Sequence, residues 1–511
     1  LKWEDLTMGT YLSDRELEEL EYADSAFDSP VPTQIISNGE FNPIPQTPQQ
    51  KAVEGRLNEI VEQNASRQGL DRRRFLGSAC GMAAAFLAMN EVFGQVFKVS
   101  EAEASDREMS MARASSLKSQ FILDDQTHFV RDDFSQEGLL GLGKFAAENW
   151  NPDLKPEQLK MAYYKFENYV RQIFFNSDTK VAVLSGAPFD DPSWNFLHND
   201  QIKDAVEMIN RIAGGQRMLG HFVITPGQDG WMDEVDRAIE EVHPDGWKAY
   251  TIGDPLSAST KYPWRLDDEK LMYPFYEKAV KAGITNIAIH KGLMPADYEK
   301  SWTDVWRYQT PWDLPKVAKD WPQINFIIYH GCLRPFLESP DAALAEFEDT
   351  GEIKWASDLA RVPQEHGVSN IYAELGTSFA NSATANPRFA AALMGTFIKG
   401  MGHKNVVWGT DSLFYGSPQW QIEALRRLEI PDDMRKKHGF ASLGGATGHI
   451  KNEIFGYTSA RLFGISVSHR LHRAEYGPLP PEKFGEIQES YQLAGGLIPG
   501  SANGFIPKKT A

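Results

Sequence analysis

The chain has 511 residues, 42% of them hydrophobic, with 29 Phe and 13 Trp, enough apolar material for one large barrel with extensions or for roughly two to four average domains. Its formal net charge of −18, from 70 acidic against 52 basic residues, argues against nucleic acid as a partner, because phosphate neutralisation needs clustered Lys and Arg, and reads instead as solubility. Only Cys80 and Cys332 occur, which makes neither a disulfide framework nor a zinc–thiolate spacing.

Residues 1–70 read as an acidic, Pro-rich arm. Within it, 13–24 is expected to be helical with Ser13 as its cap, and 28–49, with five prolines, reads as extended linker. Arms of this kind wrap neighbouring subunits, so a homo- or hetero-oligomer is expected. At 71–104 the run Asp71-Arg72-Arg73-Arg74-Phe75-Leu76-Gly77 resembles the twin-arginine export signal. A weakly apolar stretch to about Met89 and an A-x-A site at Ala102-Glu103-Ala104 follow in the right order. Export to the periplasm by that route is the expectation. The alternative is a cytoplasmic chain in which Asp71 caps an amphipathic helix with its arginines in solvent. The apolar run is too short for a membrane span; if retained, the segment docks on the barrel, a partner or a membrane surface.

From residue 120 apolar β-rich runs alternate with helical stretches, the pattern of a parallel sheet built from βα units. Strands are expected at 121–125, 179–185, 218–224, 246–251, 284–290, 324–330, 369–375 and 405–410. Helices are expected at 155–175, 199–213, 231–242, 273–282, 340–349, 353–365 and 387–401. Near-continuous apolar strands mean burial on both faces, so the predicted fold is α/β, a (β/α)8 TIM-like barrel over 120–465 with a long N-terminal extension. Helix 448–464 closes it, and 466–511 reads as a surface tail. The Trp-rich insertion 292–316, with Trp302, Trp306 and Trp312, is a candidate lid or subunit contact.

In such barrels chemistry sits at the C-terminal ends of strands. Those ends carry Gln126 and His128 on strand one, His290 on strand five, His330 on strand six, Glu374 on strand seven and Asp411 just past strand eight. A histidine closing a buried apolar strand needs a partner. Three of them with an aspartate suit one divalent metal, zinc first, with iron or manganese as alternatives.

Region 120–465 resembles the amidohydrolase-related family typified by aminocarboxymuconate-semialdehyde decarboxylase. The resemblance rests on Ile122-Leu123-Asp124-x-x-x-His128, His290, Tyr329-His330-Gly331, Gly409-Thr410-Asp411 and Ala460-Arg461-Leu462-Phe463-Gly464. It implies His128, His290 and Asp411 as metal ligands, with His330 and Asp411 in proton transfer. Gln126 stands where that family has the first histidine of its strand-one pair. A neutral amide oxygen is a weaker donor, which implies a weaker site, three protein ligands plus water, or no metal. Glu374 is either a compensating carboxylate or a partner for a neighbouring histidine or lysine. Lys248, where other branches carry a carboxylated lysine, reads as structural. His221 and His198 border the pocket; His243, His366, His403, His438, His469 and His472 read as surface or loop residues.

The first functional expectation is therefore a metal-dependent hydrolase of a small amide, ester or lactone, with non-oxidative decarboxylation as the alternative on the same site. A second is an iron-based redox variant. A third is a non-catalytic subunit of a complex, whose mark would be a hydrogen bond from Gln126 to Asp411.

Overall fold

Eight short parallel strands occupy the centre of the molecule: β1 (Leu123–Thr127), β2 (Val181–Ser185), β3 (Met218–Val223), β4 (Gly246–Tyr250), β5 (Asn286–His290), β6 (Asn325–Tyr329), β7 (Ile371–Glu374) and β8 (Val406–Val407). The computed structural model describes residues 12–23, 29–34, 37, 44–134, 138–149, 151, 160–253, 260–294, 298–334, 339–467 and 476–496. The strands pair in chain order from β1 to β8. The last then returns to the first: the Asp125 N–H donates to Trp408 O (2.8 Å) and the Asp411 N–H to Gln126 O (3.0 Å). The Asp124 carboxyl takes the N–H and the hydroxyl of Thr410 across the same seam. The barrel expected from the sequence is thus present, strand for strand. β8 is shorter than expected: beyond Val407 the seam runs through single bonds and an isolated Thr127–Ser412 bridge.

The two faces of the strands explain their continuous apolar character. Outward residues such as Ala182, Phe222, Trp247, Ile287 and Phe326 join one core with the surrounding helices. Inward residues at the strand starts, Leu123, Val181, Val183 and Leu219, pack on Ala460 and Phe463 of the closing segment, which plugs that end. Helices Asn199–Ala213, Tyr273–Ala282 and Pro387–Met401 match the expected spans. The expected helix 155–175 does not run through: 155–159 lies outside the described residues, and the rest is a 3-10 turn at Met161–Tyr164 followed by Phe166–Val170 and one wide turn at Arg171–Phe175.

The extension is more structured than its prolines suggested. Helix Pro48–Arg67 starts inside the expected linker, launched by a capping box in which the Thr47 hydroxyl accepts the Gln50 N–H and the Gln50 side chain accepts the Thr47 N–H. Asp71 caps Arg72–Leu76 by accepting the Arg74 N–H. Helix Ala79–Phe93 then buries Ala83, Ala84, Phe86 and Ala88 against Pro48–Arg67 and Pro387–Met401. Ala102-Glu103-Ala104 lies in helix Glu101–Ser105 with Ala104 buried. Among the described residues no helix is long and apolar enough to cross a membrane. The expected surface tail also folds back in part. Helix Glu482–Leu493 buries Ile487 and Tyr491, and Tyr491 stacks on Phe166 at 4.3 Å; His469 and His472 lie outside the described residues.

A buried ion cluster fastens the extension to the barrel. Arg427 reaches Glu103 (2.5 Å) and Glu423 (3.2 Å), Arg426 reaches Glu423 (2.9 Å) and Asp178 (2.6 Å), and Arg113 reaches Glu423 (2.6 Å). Backbone bonds from Lys98 N–H to Arg427 O and from Glu429 N–H to Val96 O run alongside. Arg427 is 2% exposed, and removing it takes the nearest cation from Glu103, leaving Arg113 at 3.7 Å, and one of three cations from Glu423. Arg427→Met is expected to cost about 3–5 kcal/mol in denaturant unfolding. A chain starting at Ser105 should lower the melting temperature and bind an apolar dye; an unchanged melting curve in both would mean that the cluster does not hold the fold.

Candidate active site

The open end of the barrel gathers six of the polar side chains singled out in the sequence. Gln126, His128, His290, His330, Glu374 and Asp411 are each at most 4% exposed. The slip in β1 aims Gln126 and His128 at the seam, where Asp411 follows β8. His128 Nδ1 donates to Ser185 O at 2.6 Å, which leaves its Nε2 pointing inward, 3.2 Å from Asp411 Oδ1. Gln126 Nε2 stands 3.0 Å from Asp411 Oδ1 and 3.4 Å from His128 Nε2. The second Asp411 oxygen accepts the Thr377 hydroxyl, which in turn accepts from Tyr415 OH at 2.8 Å.

His290 and His330 form a second group beside the first. His330 Nδ1 donates to Gly376 O at 2.8 Å, so its Nε2 accepts from His290 Nδ1 at 3.0 Å. The Tyr250 ring lies flat on His290, at 4.3 Å between centroids and 7° between planes. Glu374 sits beneath, accepting the N–H groups of His330 (3.1 Å) and Gly376 (2.6 Å). Lys248 lies deeper in the barrel, fully buried, with Nζ 3.5 Å from the centre of the Tyr329 ring. His221 also points into the barrel, against Phe463, whereas His198 sits at the start of helix Asn199–Ala213. His403 and His449 face one another on the exterior at 3.2 Å.

Electrostatics separate these groups sharply. Burial raises the Asp411 carboxyl, but the His128 hydrogen bond, the His128 and His330 imidazoles and Thr377 outweigh it and hold Asp411 below the usual carboxylate range. Burial pushes Glu374 well above that range, helped by the charges of Asp411 and Asp125. Burial lowers His330 to about 4, opposed by Asp411 and reinforced by Lys248. His290 is held well below its ordinary value by burial and by His330 and Lys248. The site therefore sets an ionised Asp411 beside a neutral His330–His290 pair, with Glu374 shifted towards its protonated form.

Among the described residues no three His, Cys, Asp or Glu groups form a metal cluster; Gln126 stands as a third donor beside His128 and Asp411. The spacings suit a cation. Ligands about 2.1 Å from a cation lie roughly 3.0–3.4 Å apart in octahedral to tetrahedral arrangements, and the three separations among Gln126, His128 and Asp411 are 3.0, 3.2 and 3.4 Å. His128 Nε2 also faces a carboxylate oxygen, an arrangement that calls for a proton or a cation between them. Gln126 Oε1 is buried without a hydrogen-bond donor, and a half-turn of the amide exchanges it with Nε2. The Gln126–Asp411 hydrogen bond is the contact expected of a barrel that has lost its metal, yet the same spacing serves an amide-ligated cation. His290 bonds to His330 rather than joining the three.

Thr377, Tyr415, Ser185 and Tyr250 complete the site and were not singled out in the sequence. No motif marks them; the one signal was that strand ends two and four, Ser185 and Tyr250, carry polar side chains at the equivalent level.

Residues 126–465 match a protein-family model described as amidohydrolase. No curated protein matches the chain. Among solved structures it is similar to a 5-carboxyvanillate decarboxylase from Novosphingobium aromaticivorans with bound manganese (13% identity, 68% of this chain and 98% of that one, TM-score 0.39). It is similar also to 2,6-dihydroxybenzoate decarboxylase from Rhizobium (13%, 68% and 99%, TM-score 0.39). A third is a probable 2-pyrone-4,6-dicarboxylic acid hydrolase from Acinetobacter baumannii (12%, 67% and 99%, TM-score 0.37).

Two glycines make room for this arrangement. A Cβ on Gly409 would stand 1.7 Å from Glu374 Oε1, and one on Gly376 would stand 2.1 Å from Gln126 Oε1. Gly409→Ala and Gly376→Ala are each expected to destabilise the fold by about 1–3 kcal/mol. Gly55→Ala, on the surface of Pro48–Arg67 with nothing within 4 Å, serves as the control; equal melting temperatures for all three would contradict this packing.

Proposed function

The chain belongs to the amidohydrolase family, and on that premise we propose that it is a metal-dependent hydrolase of a small amide, ester or lactone, working at Gln126, His128, Asp411 and His330. The observation that carries this reading is the trio of donors at the spacing of cation ligands, with the neutral His330–His290 pair beside it. His128, Asp411 and the Gln126 amide are the residues that would hold the metal. Two oxygens and one imidazole lean towards manganese or iron over zinc. When bound, a divalent cation supplies a Lewis acid that brings the pKa of water from about 16 towards about 7 and polarises a carbonyl.

The protein's own groups do the rest. Asp411 stays ionised, because Thr377 and the imidazoles hold its proton off. His330, neutral above about pH 4, takes the proton released by the attacking water at Nε2, once that nitrogen gives up the His290 N–H it accepts here, and returns it to the leaving group. Its Nδ1–H, fixed on Gly376 O, sets the tautomer that makes Nε2 the acceptor. Phe134, Phe196 and Phe414 roof the site around His128 and exclude bulk water.

That dry roof favours a second reading, non-oxidative decarboxylation. A substrate carboxylate moved from water into an apolar site loses the solvation that opposes release of CO2. The two reactions part in isotopic water: hydrolysis places ¹⁸O in the product, decarboxylation releases CO2 and exchanges solvent hydrogen onto carbon.

His330→Asn should lower kcat by about 10²–10⁴-fold at unchanged metal content, and the acid limb of kcat/KM at about pH 4 should vanish with it. Full activity in that variant would remove His330 from the chemistry. Gln126→Ala should lower divalent-metal content by elemental analysis, and Gln126→Glu should raise it. Wild-type metal content in Gln126→Ala would take Gln126 out of the donor set.

A further inference from the structure

Nothing among the site residues touches solvent appreciably, yet a substrate has to reach them. A shallow depression with room for about one water molecule lies between described residues that follow β2, β3 and β4, walled by Phe189, Ile224, Pro226, Tyr262 and Trp264 and floored by Tyr250. Tyr250 is the residue common to depression and site. One side of its ring faces Phe189 at 6.5 Å and 26°, and the other lies on His290 at 4.3 Å and 7°. Its backbone is pinned: Tyr250 belongs to β4, and its carbonyl accepts the Trp264 indole N–H at 2.8 Å. Movement there is confined to the side chain.

We infer that this depression is the way into the site and that Tyr250 is its gate, a swinging ring that selects flat, conjugated groups able to replace it on His290. The inference rests on reading the barrel mouth as the active site. With the ring swung aside, the vacated slot has the His290 face on one side and the Lys248 ammonium nearby, which now stands 4.9 Å from the Tyr250 ring centre. A planar, electron-rich group regains both the stacking and the cation–π contact that Tyr250 gives up, whereas a branched aliphatic group regains neither. Asp190, at the rim of the depression, accepts the Lys261 N–H and the Thr260 hydroxyl through Oδ2 and keeps Oδ1 buried without a donor. A hydroxyl or amino substituent on the entering ring would satisfy that oxygen.

The test needs no substrate. Diethyl pyrocarbonate labels neutral imidazoles that it can reach, and peptide mass mapping reads His290 separately from the exterior His403 and His449. In the wild type His290 should label slowly and the exterior pair fast. Tyr250→Ala should accelerate labelling of His290 by about tenfold or more, while Tyr250→Phe, which keeps the ring, should match the wild type. Thr225→Trp, filling the depression with Tyr250 intact, should slow it further, and this arm stands even if Tyr250→Ala fails to fold. Phe414→Ala opens the opposite side of the roof and should leave His290 unchanged. Equal labelling of His290 in wild type, Tyr250→Ala and Thr225→Trp, or faster labelling in Phe414→Ala alone, overturns the inference. Because the readout is access rather than turnover, a correct gate on an inactive barrel and a wrong gate on an active one give different results.

Discussion

An ionised carboxylate sealed inside the barrel sets the terms for its surroundings. Taking such a charge out of water costs many kcal/mol unless it is paired and hydrogen-bonded, and Asp411 meets that demand with Gln126, His128 and Thr377. These partners come from β1 and from the turn after β7, so the charge can be satisfied only when the seam between first and last strands is closed. Delivering the groups bends the chain. His330, Thr377 and Asp411 all adopt left-handed backbone, with φ of 63°, 58° and 55°, a conformation costly for residues with a Cβ and concentrated at functional sites. The carboxyls nearby cannot share the charge. Burial pushes Glu374 and Asp125 well above the usual range and Asp124 up to about 7.

Beneath this carboxylate the barrel interior is layered by polarity. Lys248 lies among the rings of Tyr329 and Tyr250, and its charge adds to burial in keeping His221, His290 and His330 neutral. Below it, Leu123, Val183 and Leu219 meet the plug of Phe463 and Ala460. His330 is thus buried among charges of opposite effect, Asp411 raising its pKa and Lys248 lowering it. That environment suits proton transfer, because the donor and acceptor states of the imidazole differ by contacts already in place.

Much of this was legible from residue order, since strand burial and strand-end chemistry are local properties. All eight strands and the convergence of His128, His290, His330 and Asp411 on one rim follow from apolar runs that stop at polar residues. What escaped was pairwise. That His290 bonds to His330, while Gln126, His128 and Asp411 make a separate trio, depends on side-chain contacts between strands, which no spacing reports. Thr377 was invisible because its role comes from a left-handed turn three residues beyond β7. Tyr250 read as one more apolar strand residue, and only its stacking on His290 shows its second face. In the extension the prolines hid a helix: Pro48 stands at its first turn, where a missing N–H costs nothing.

The clasp between Glu103 and Arg427 joins positions 324 apart in the chain. A ribosome releases the first of them long before the second exists, and domains generally fold as their last required piece emerges. Helix Ala79–Phe93 can cover much of its apolar face early, on Pro48–Arg67 and Glu101–Ser105, while its contact with Pro387–Met401 waits for the later chain. The clasp itself closes only once Arg427 has been made, so the extension and the barrel are locked together late in the chain's synthesis.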